Sequence, residues 1–392
     1  MTYLKFKADQ LFTGSELLSG EQVLITKAGG EIVDTVHQSE AGEDILYSAG
    51  ILSPGFINCH CHLELSHMKH LIEEKTGLVD FVVNVVSKRN FPDEEILEAI
   101  QNAEDEMLTA GIVAIGDICN NLSTLPQKMK RRMTYYNFIE ASGWVPKVAM
   151  SRFEASNFFY ETFSNHFKET SMAPHAAYSV SPALWQLIVP FFENKVTTLH
   201  NQETPHEDEF FLKGAGPLMR MYELMNIDNS FHRASEKSSL DTVYPYLSAA
   251  SSLILVHNTF TTERDITRVK NKAGKKHLVS FCLCVNANLY IEDALPPVEL
   301  LVQNDCAIVL GTDSLASNHT LNLLAEMKTI RKNFPRVSLL QMLTWATING
   351  AKALQIDNTY GSFSKGKKPG VVLIEGLDEN NLGAGSSCKR LI

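Results

Sequence analysis

Pro54-Gly55-Phe56-Ile57-Asn58-Cys59-His60-Cys61-His62 is an apolar run that ends in His-x-His. Side chains alternate along a strand, so residues i and i+2 share a face, and His60 and His62 can turn toward one cation. Taken alone, such a pair is more often two unrelated imidazoles at a strand end. The chain that follows decides between the two. From about Ile51 onward, short apolar runs alternate with longer segments of helical periodicity, the pattern of βα units around a parallel sheet.

In order, the predicted strands are Leu52–His60, Ile112–Asp117, Met133–Ile139, Ser171–Tyr178, Val196–His200, Leu253–His257, Leu278–Cys282 and Ala307–Gly311. Helical stretches such as Glu94–Thr109, Pro182–Glu193, Thr262–Lys272 and Leu321–Asn333 lie between them. Eight strands with intervening helices predict an α/β protein, a (β/α)8 TIM-like barrel. Upstream, Leu4–Phe6, Gln22–Thr26 and Glu31–Val36 read as short strands, with Gly29-Gly30 as a hairpin signal. Downstream, Leu339–Trp345 and Gly350–Leu354 read as helical, and a Gly- and Lys-rich turn at 365–370 leads into the strand Val371–Ile374. The two chain ends are therefore expected to meet in a small β-sandwich domain, residues 1–52 and 357–392, beside a barrel of residues 53–356. No internal repeat or low-complexity tract interrupts this order.

A chain of 392 residues has room for one large or two ordinary domains. It is 44% hydrophobic and 20% charged, ordinary for a globular protein with a large core. The net charge of −10, with no basic stripe, argues against nucleic acid as a partner, because phosphate binding needs clustered Lys and Arg. No apolar run reaches the roughly 18 residues a membrane span requires, and the first residues show no secretory h-region. Cys59, Cys61, Cys119, Cys282, Cys284, Cys306 and Cys388 have no zinc-knuckle or redox spacing. They read as small apolar residues in a reducing cytoplasm.

Three further predicted strands end on groups that bind metals. Val196-Thr197-Thr198-Leu199 runs into His200, Leu253-Ile254-Leu255-Val256 into His257, and Ile308-Val309-Leu310-Gly311-Thr312 into Asp313. In a barrel the C-terminal strand ends share one mouth, and polar side chains there read as catalytic. Any one of these could be a satisfied core residue; their joint recurrence makes a plausible site for Zn²⁺ or Fe²⁺.

As a set, His60-x-His62, His200, His257 and Asp313 on strands one, five, six and eight resemble the amidohydrolase superfamily. His200-Asn201-Gln202-Glu203 looks like the His-x-x-Glu of its mononuclear deaminase and chlorohydrolase branch. The fourth-strand segment Ala173–Ser181, with His175, and the eighth-strand turn Gly311–Asn318 are similar to that branch too. The resemblance implies one divalent ion, zinc first and iron second, held by His60, His62, His200 and Asp313. No Lys ends strand four, where binuclear relatives carry a bridging carbamate; His175 stands there instead. Asp313 would accept a proton from the attacking water, and His257 would orient that water. Glu203, one helical turn beyond His200, would protonate a ring nitrogen and then assist the departure of ammonia. An acid that merely complements a helix start is the plainer reading of Glu203.

Substrate contacts implied on the same basis are His175, Glu64, Asn288 and Ser314, with His232 and Arg233 reaching in from a loop before the helix Leu240–Leu247. Trp144, Phe153, Phe158 and Phe159 are candidate walls of an aromatic pocket, although core packing is the commoner use of such residues. The seventh-strand segment Cys282-Leu283-Cys284-Val285-Asn286-Ala287-Asn288 lacks the Pro and Ser of the branch's usual Cys-Pro-x-Ser-Asn-like run. Substrate identity therefore does not transfer directly. In the tail, Gly370 stands where relatives commonly carry an Ala-Asp pair.

The leading expectation is a deaminase, a hydrolase of C–N bonds, acting on an aminated heterocycle, a purine or purine nucleoside. The first-loop run His62-Leu63-Glu64-Leu65-Ser66 resembles amidohydrolases proposed to deaminate aminodeoxyfutalosine in menaquinone synthesis. The alternatives are a hydrolase of a cyclic amide, an imidazolone or a chloro-substituted ring, and a catalytically inactive ligand-binding homologue. Small molecules are the expected partners, without nucleic acid or membrane, and a homodimer is among the assemblies the resemblance allows.

Overall fold

The computed structural model of the protein describes residues 3–273, 277–378 and 381–392. Residues 1, 2, 379 and 380 of the expected β domain lie outside the described residues. The strands are β1 (Tyr3–Phe12), β2 (Leu17–Ser19), β3 (Gln22–Lys27), β4 (Ile32–His37), β5 (Ile45–Pro54), β6 (Phe56–Cys61), β7 (Ile112–Cys119), β8 (Thr134–Ala141), β9 (Thr170–Pro174), β10 (Val196–Asn201), β11 (Ser252–His257), β12 (Leu278–Leu283), β13 (Ala307–Leu310), β14 (Val371–Glu375) and β15 (Ser387–Arg390). The helices are α1 (Leu78–Lys88), α2 (Asp93–Thr109), α3 (Leu125–Lys128), α4 (Ala149–Ser164), α5 (Pro182–Ile188), α6 (His206–Lys213), α7 (Pro217–Leu224), α8 (Ser239–Leu247), α9 (Glu263–Lys272), α10 (Val285–Glu292), α11 (Val298–Gln303), α12 (Leu323–Asn333), α13 (Leu339–Thr344) and α14 (Gly350–Ala353).

Two four-stranded parallel sheets, β6-β7-β8-β9 and β10-β11-β12-β13, carry the βα units. Parallel bridges join them at both seams, Cys61 to Asp313 and Ala176 to His200. β6, β7, β10 and β11 are buried along their whole length, as strands covered on both faces must be. One apolar cluster takes Ile57, Ala114, Phe138, Ala173, Val196, Ile254, Cys282 and Val309, a side chain from each of the eight parallel strands. A larger cluster packs the helices around the outside, from Ile100 and Met107 of α2 to Leu324 and Met327 of α12. Helix starts follow local capping. The Thr262 and Asp265 side chains cap each other's N–H groups ahead of α9, and the Ser338 hydroxyl accepts from Gln341 ahead of α13.

The chain ends meet in one seven-stranded sheet of order β15-β14-β5-β1-β3-β4, with β2 paired to β1. A two-sheet sandwich was the expectation. Among the described residues the strands form a single ladder instead, because β1 pairs with β3 on one edge and β5 on the other.

The predicted strand Leu52–His60 is two strands. Leu52 and Ser53 pair with β14 in the mixed sheet, and the parallel strand begins only after Gly55. At Gly55 the backbone turns against Pro369, donating to its carbonyl at 3.1 Å, and a Cβ there would sit 2.3 Å from Val113 Cγ1 and 2.6 Å from the Pro369 oxygen. The fourth predicted strand is also shorter than expected, ending at Pro174 and giving way to a 3₁₀ turn at Ala177–Ser179.

The Gly55 contact sets a stability test. Gly55→Ala is expected to lose about 1–3 kcal/mol, the usual cost of forced overpacking. Gly29→Ala, where nothing lies within 4 Å of the added carbon, should stay near wild type. Urea midpoints at constant m-value measure both.

Candidate metal centre and active site

The strand ends are stitched to one another before any side chain is considered. The His60 carbonyl accepts the N–H groups of Thr312 at 3.0 Å and Asp313 at 3.1 Å, and the His200 N–H donates to His175 O at 2.9 Å. The β6–β7 register shifts between Asn58 and Cys61, a bulge-like irregularity of the kind that re-aims side chains beside active sites. Gln202, His257, Asn258 and Asp313 all take left-handed φ values, +46°, +72°, +56° and +58°. Non-glycine residues adopt that region at a cost, and such strain gathers at functional sites.

These turns bring the ring nitrogens together. His62 Nε2 lies 3.1 Å from His200 Nε2, and Asp313 Oδ1 lies 3.3 Å from His60 Nε2 and 3.4 Å from His62 Nε2. Single donor atoms of His60, His200, His257 and Asp313 all fall within 4.8 Å of one another. The set is sealed from solvent: His60 is 0% exposed, His257 1%, and His62, at 8%, is the most open of the five. Both ring nitrogens of His60 lack a hydrogen-bond partner. Buried imidazole nitrogens are normally satisfied, and a pair left without partners suits a residue that ligates a cation. Tetrahedral ligands about 2.1 Å from zinc stand about 3.4 Å apart, close to the spacings seen. The residues fit a divalent ion.

Electrostatics agree with that fit. Burial pulls the His60 imidazole down to about 4, and burial with the neighbouring His175 pulls His200 well below the usual range. Both are thus neutral, as ligands must be. Burial alone would raise the Asp313 carboxyl, but contact with His60 and the charges of His62 and His257 hold it well below the carboxylate range. Its Oδ2 accepts from Ser317 Oγ at 2.5 Å, leaving Oδ1 toward the imidazoles. His200 Nδ1 donates to His175 O at 2.8 Å, which fixes the tautomer and turns Nε2 inward.

Other predicted site residues fall into two groups. Glu203 is brought in, 4% exposed, with Oε1 3.5 Å from His257 Nε2. Burial and then the Asp313 charge push its carboxyl well above the usual range, which favours the protonated form. It is not on a helix, as expected from sequence; α6 begins only at His206, and the left-handed Gln202 is what redirects the chain. His175 lies beside His200 with ring centroids 4.6 Å apart, and its Nδ1 is 2.9 Å from Glu140 Oε2. Burial lowers the His175 imidazole, but the Glu140 charge outweighs it and raises it. Glu64 is buried and accepts from the Asn120 N–H at 2.9 Å, and burial pushes its carboxyl up to about 7.

Asn288 faces His257 instead of open cavity: its Oδ1 accepts from Nδ1 at 2.8 Å. Ser314 bonds Ser317 at 3.0 Å in the turn behind Asp313. His232 stacks on Phe210 at 4.0 Å, and Arg233 is exposed with its guanidinium on the carbonyls of Ser230 and His232. Trp144 stacks on Tyr222 within that aromatic group, whereas Phe158 is 58% exposed and walls nothing. Sequence reading missed Glu140. Its signal was available, since Thr134–Ala141 is an apolar strand closing on a carboxylate, as the run before Asp313 is.

Glu326 braces this mouth from α12. It accepts from Asn318 Nδ2 at 2.9 Å and from the Asn286 N–H at 3.0 Å, tying the turn after β13 to the start of α10. Burial raises its carboxyl from 4.5 to about 8. The folded protein then keeps a proton that the unfolded chain has released. The resulting stability is complete below about 4.5 and lost as pH rises through about 8. Glu326→Gln should flatten that decline, as read from urea midpoints across the same pH range.

A family model, the Amidohydrolase family, matches residues 51–390. The 5-methylthioadenosine/S-adenosylhomocysteine deaminase of Teredinibacter turnerae is 24% identical over 353 residues, covering 85% of this chain and 73% of its own. Among solved structures, Helicobacter pylori aminofutalosine deaminase in complex with methylthio-coformycin superposes with a TM-score of 0.80. It is 19% identical and is matched over 97% of this chain and 93% of its own. An adenosine deaminase from Xanthomonas campestris with bound zinc gives a TM-score of 0.69 at 20% identity, over 95% of this chain and 84% of its own. With the ligand-type cluster at the strand ends and a family match spanning all but the first 50 and last two of its 392 residues, the chain belongs to the Amidohydrolase family.

Proposed function

We propose that the protein is a hydrolytic deaminase of an aminated purine nucleoside, working with one zinc ion held by His60, His62, His200 and Asp313. One observation carries the reading: Glu203, a buried carboxyl with its pKa raised, faces His257 at 3.5 Å across the same sealed space as the ligand cluster. Amide hydrolysis has no need of a proton donor aimed at a ring, whereas deamination of an aromatic ring does. The deaminase relatives and the aminofutalosine deaminase fold neighbour support the same class.

A divalent ion so held lowers the pKa of a water from about 16 toward about 7, which makes a nucleophile available at neutral pH. Asp313 Oδ1 is placed to take the proton released from that water. His257 is pinned through Nδ1 to Asn288, so its Nε2 faces the attacked carbon and stabilises charge that develops there. Glu203 gives its proton to the ring nitrogen as water adds across the C=N bond. The C–N bond to the exocyclic amine then breaks: ammonia leaves with the proton held by Asp313, the new hydroxyl gives its proton back to Glu203, and a ring carbonyl remains. His257 shares with His60, His200 and Asp313 a set of donor atoms all within 4.8 Å of one another, but its Asn288 bond and Glu203 contact suit this role. His62, within 3.4 Å of both His200 and Asp313, suits the role of ligand.

The seam bridges and the eight-strand interior cluster support reading the two parallel sheets as one closed (β/α)8 barrel of residues 53–356. Residues 1–52 and 357–392 are then the companion β domain. The free cysteines support a cytoplasmic setting, and among the described residues no helix is long and apolar enough to cross a membrane.

Three outcomes are expected. Protein loaded with zinc should hold about one equivalent per chain by elemental analysis, as a single closed ligand set requires; two tight equivalents would contradict the mononuclear assignment. Incubation with adenosine, 5′-methylthioadenosine and 5′-deoxyadenosine should release ammonia. Glu203→Gln should keep the zinc and lose about 10²–10⁴-fold in kcat. Full activity in that variant removes Glu203 from the mechanism.

A further inference from the structure

We propose that Glu207 is a positioning residue that aims Glu203 into the site by holding the backbone of the turn after β10. The inference rests on the proton-transfer role given to Glu203 above.

β10 ends at Asn201, and an extended continuation would carry the next side chains away on alternating faces. The left-handed Gln202, φ +46°, breaks that alternation. A residue with a Cβ stays in this region only where its surroundings over-determine it. Three contacts do so. Gln202 Oε1 accepts from Thr261 Oγ1 at 2.7 Å, the Gln202 carbonyl accepts from the Phe260 N–H at 3.0 Å, and the Glu203 N–H donates to Glu207 Oε1 at 2.9 Å. The first two fix the residue before Glu203. Only the third grips Glu203 itself, and the Gln202 N–H also bears on the same carboxyl.

Glu207 has no simpler occupation. It sits in the first turn of α6, but Asp208 and Glu209 share that turn and complement the helix dipole. It is 1% exposed and makes no ion pair with Lys or Arg among the described residues. Its second oxygen, Oε2, is buried without any hydrogen-bond partner. A surface acid at a helix start needs no burial. This one is buried, and one of its oxygens serves the backbone of the residue that carries the reacting proton. Burial pushes its carboxyl up to about 8, so at neutral pH the side chain works as a neutral acceptor. A glutamine has the same reach and the same acceptor.

That equivalence supplies the test. Glu207→Gln, Glu207→Asp and Glu207→Leu are made in the full-length, zinc-loaded protein, with adenosine and 5′-methylthioadenosine as probes. Glutamine should restore most of the wild-type rate. Aspartate, one methylene short, and leucine, with no acceptor, should lower kcat and kcat/KM together by about 10²-fold, the scale of a displaced catalytic group. Zinc content should hold in all three. Amide hydrogen exchange at Gln202 and Glu203 should quicken in the aspartate and leucine variants and not in the glutamine variant.

The opposite ranking, an active aspartate and an inactive glutamine, would show that charge matters and position does not, and would overturn the proposal. So would wild-type rates and unchanged exchange in all three variants. If the leucine variant does not fold, the glutamine–aspartate contrast decides. If the wild-type protein releases no ammonia from these two probes or from 5′-deoxyadenosine, the deaminase reading fails, and the exchange measurement alone still judges the hold of Glu207 on the turn.

Discussion

Four imidazoles and one carboxylate share a space from which water is nearly excluded, and the molecule is organised around making that tolerable. Protonated imidazoles this close would repel one another across a low dielectric, so burial keeps His60 and His200 neutral. Neutral imidazoles still need partners for their nitrogens, and His60 has none. A divalent ion, as proposed above, would answer both demands by binding the neutral form and offsetting the Asp313 charge. The ordinary core beneath it, with Cys282, Cys284 and His60 crowding Gly311, leaves no room for a side chain at that position.

Strain is where the geometry is paid for. Left-handed conformations at Gln202, His257, Asn258 and Asp313 occur where three parallel strands hand over to their loops. Each turns a side chain inward that regular continuation would direct elsewhere. The surrounding bonds, from His60 O to the Thr312 and Asp313 amides and from Asn201 O to Asn258, hold these turns in place. Preorganisation of this kind is worth most where the reacting groups must meet within fractions of an ångström.

The loops add a second layer above the site. α1 follows the first parallel strand and α7 the fifth, yet they meet, tied by Arg220 to both oxygens of Asp80 at 3.0 and 2.7 Å. The start of α1 is anchored to α10 through Leu78 N–H to Glu292 and Gly77 N–H to Ile291 O. Tyr222 of α7 and Phe210 of α6 pack in one aromatic group with Trp144 and His232.

Much of this was written in the sequence. Short runs alternating with helical periodicity located the parallel strands to within a few residues, because strands buried on both faces carry few charges, and the ends of four of them announced His60, His200, His257 and Asp313. The same rule would have yielded Glu140. What the sequence could not carry was direction. Gly55 divides one apolar run into strands of two different sheets, through contact with Pro369, far along the chain. Asn288 reads as a substrate contact until the fold sets it against His257. Glu203 reads as a helix residue, and only the φ of Gln202, imposed by Thr261, Phe260 and Glu207, turns it into the site. Strand identity is a local property of side-chain hydrophobicity; the sign of a single backbone angle is settled by partners that tertiary structure alone brings near.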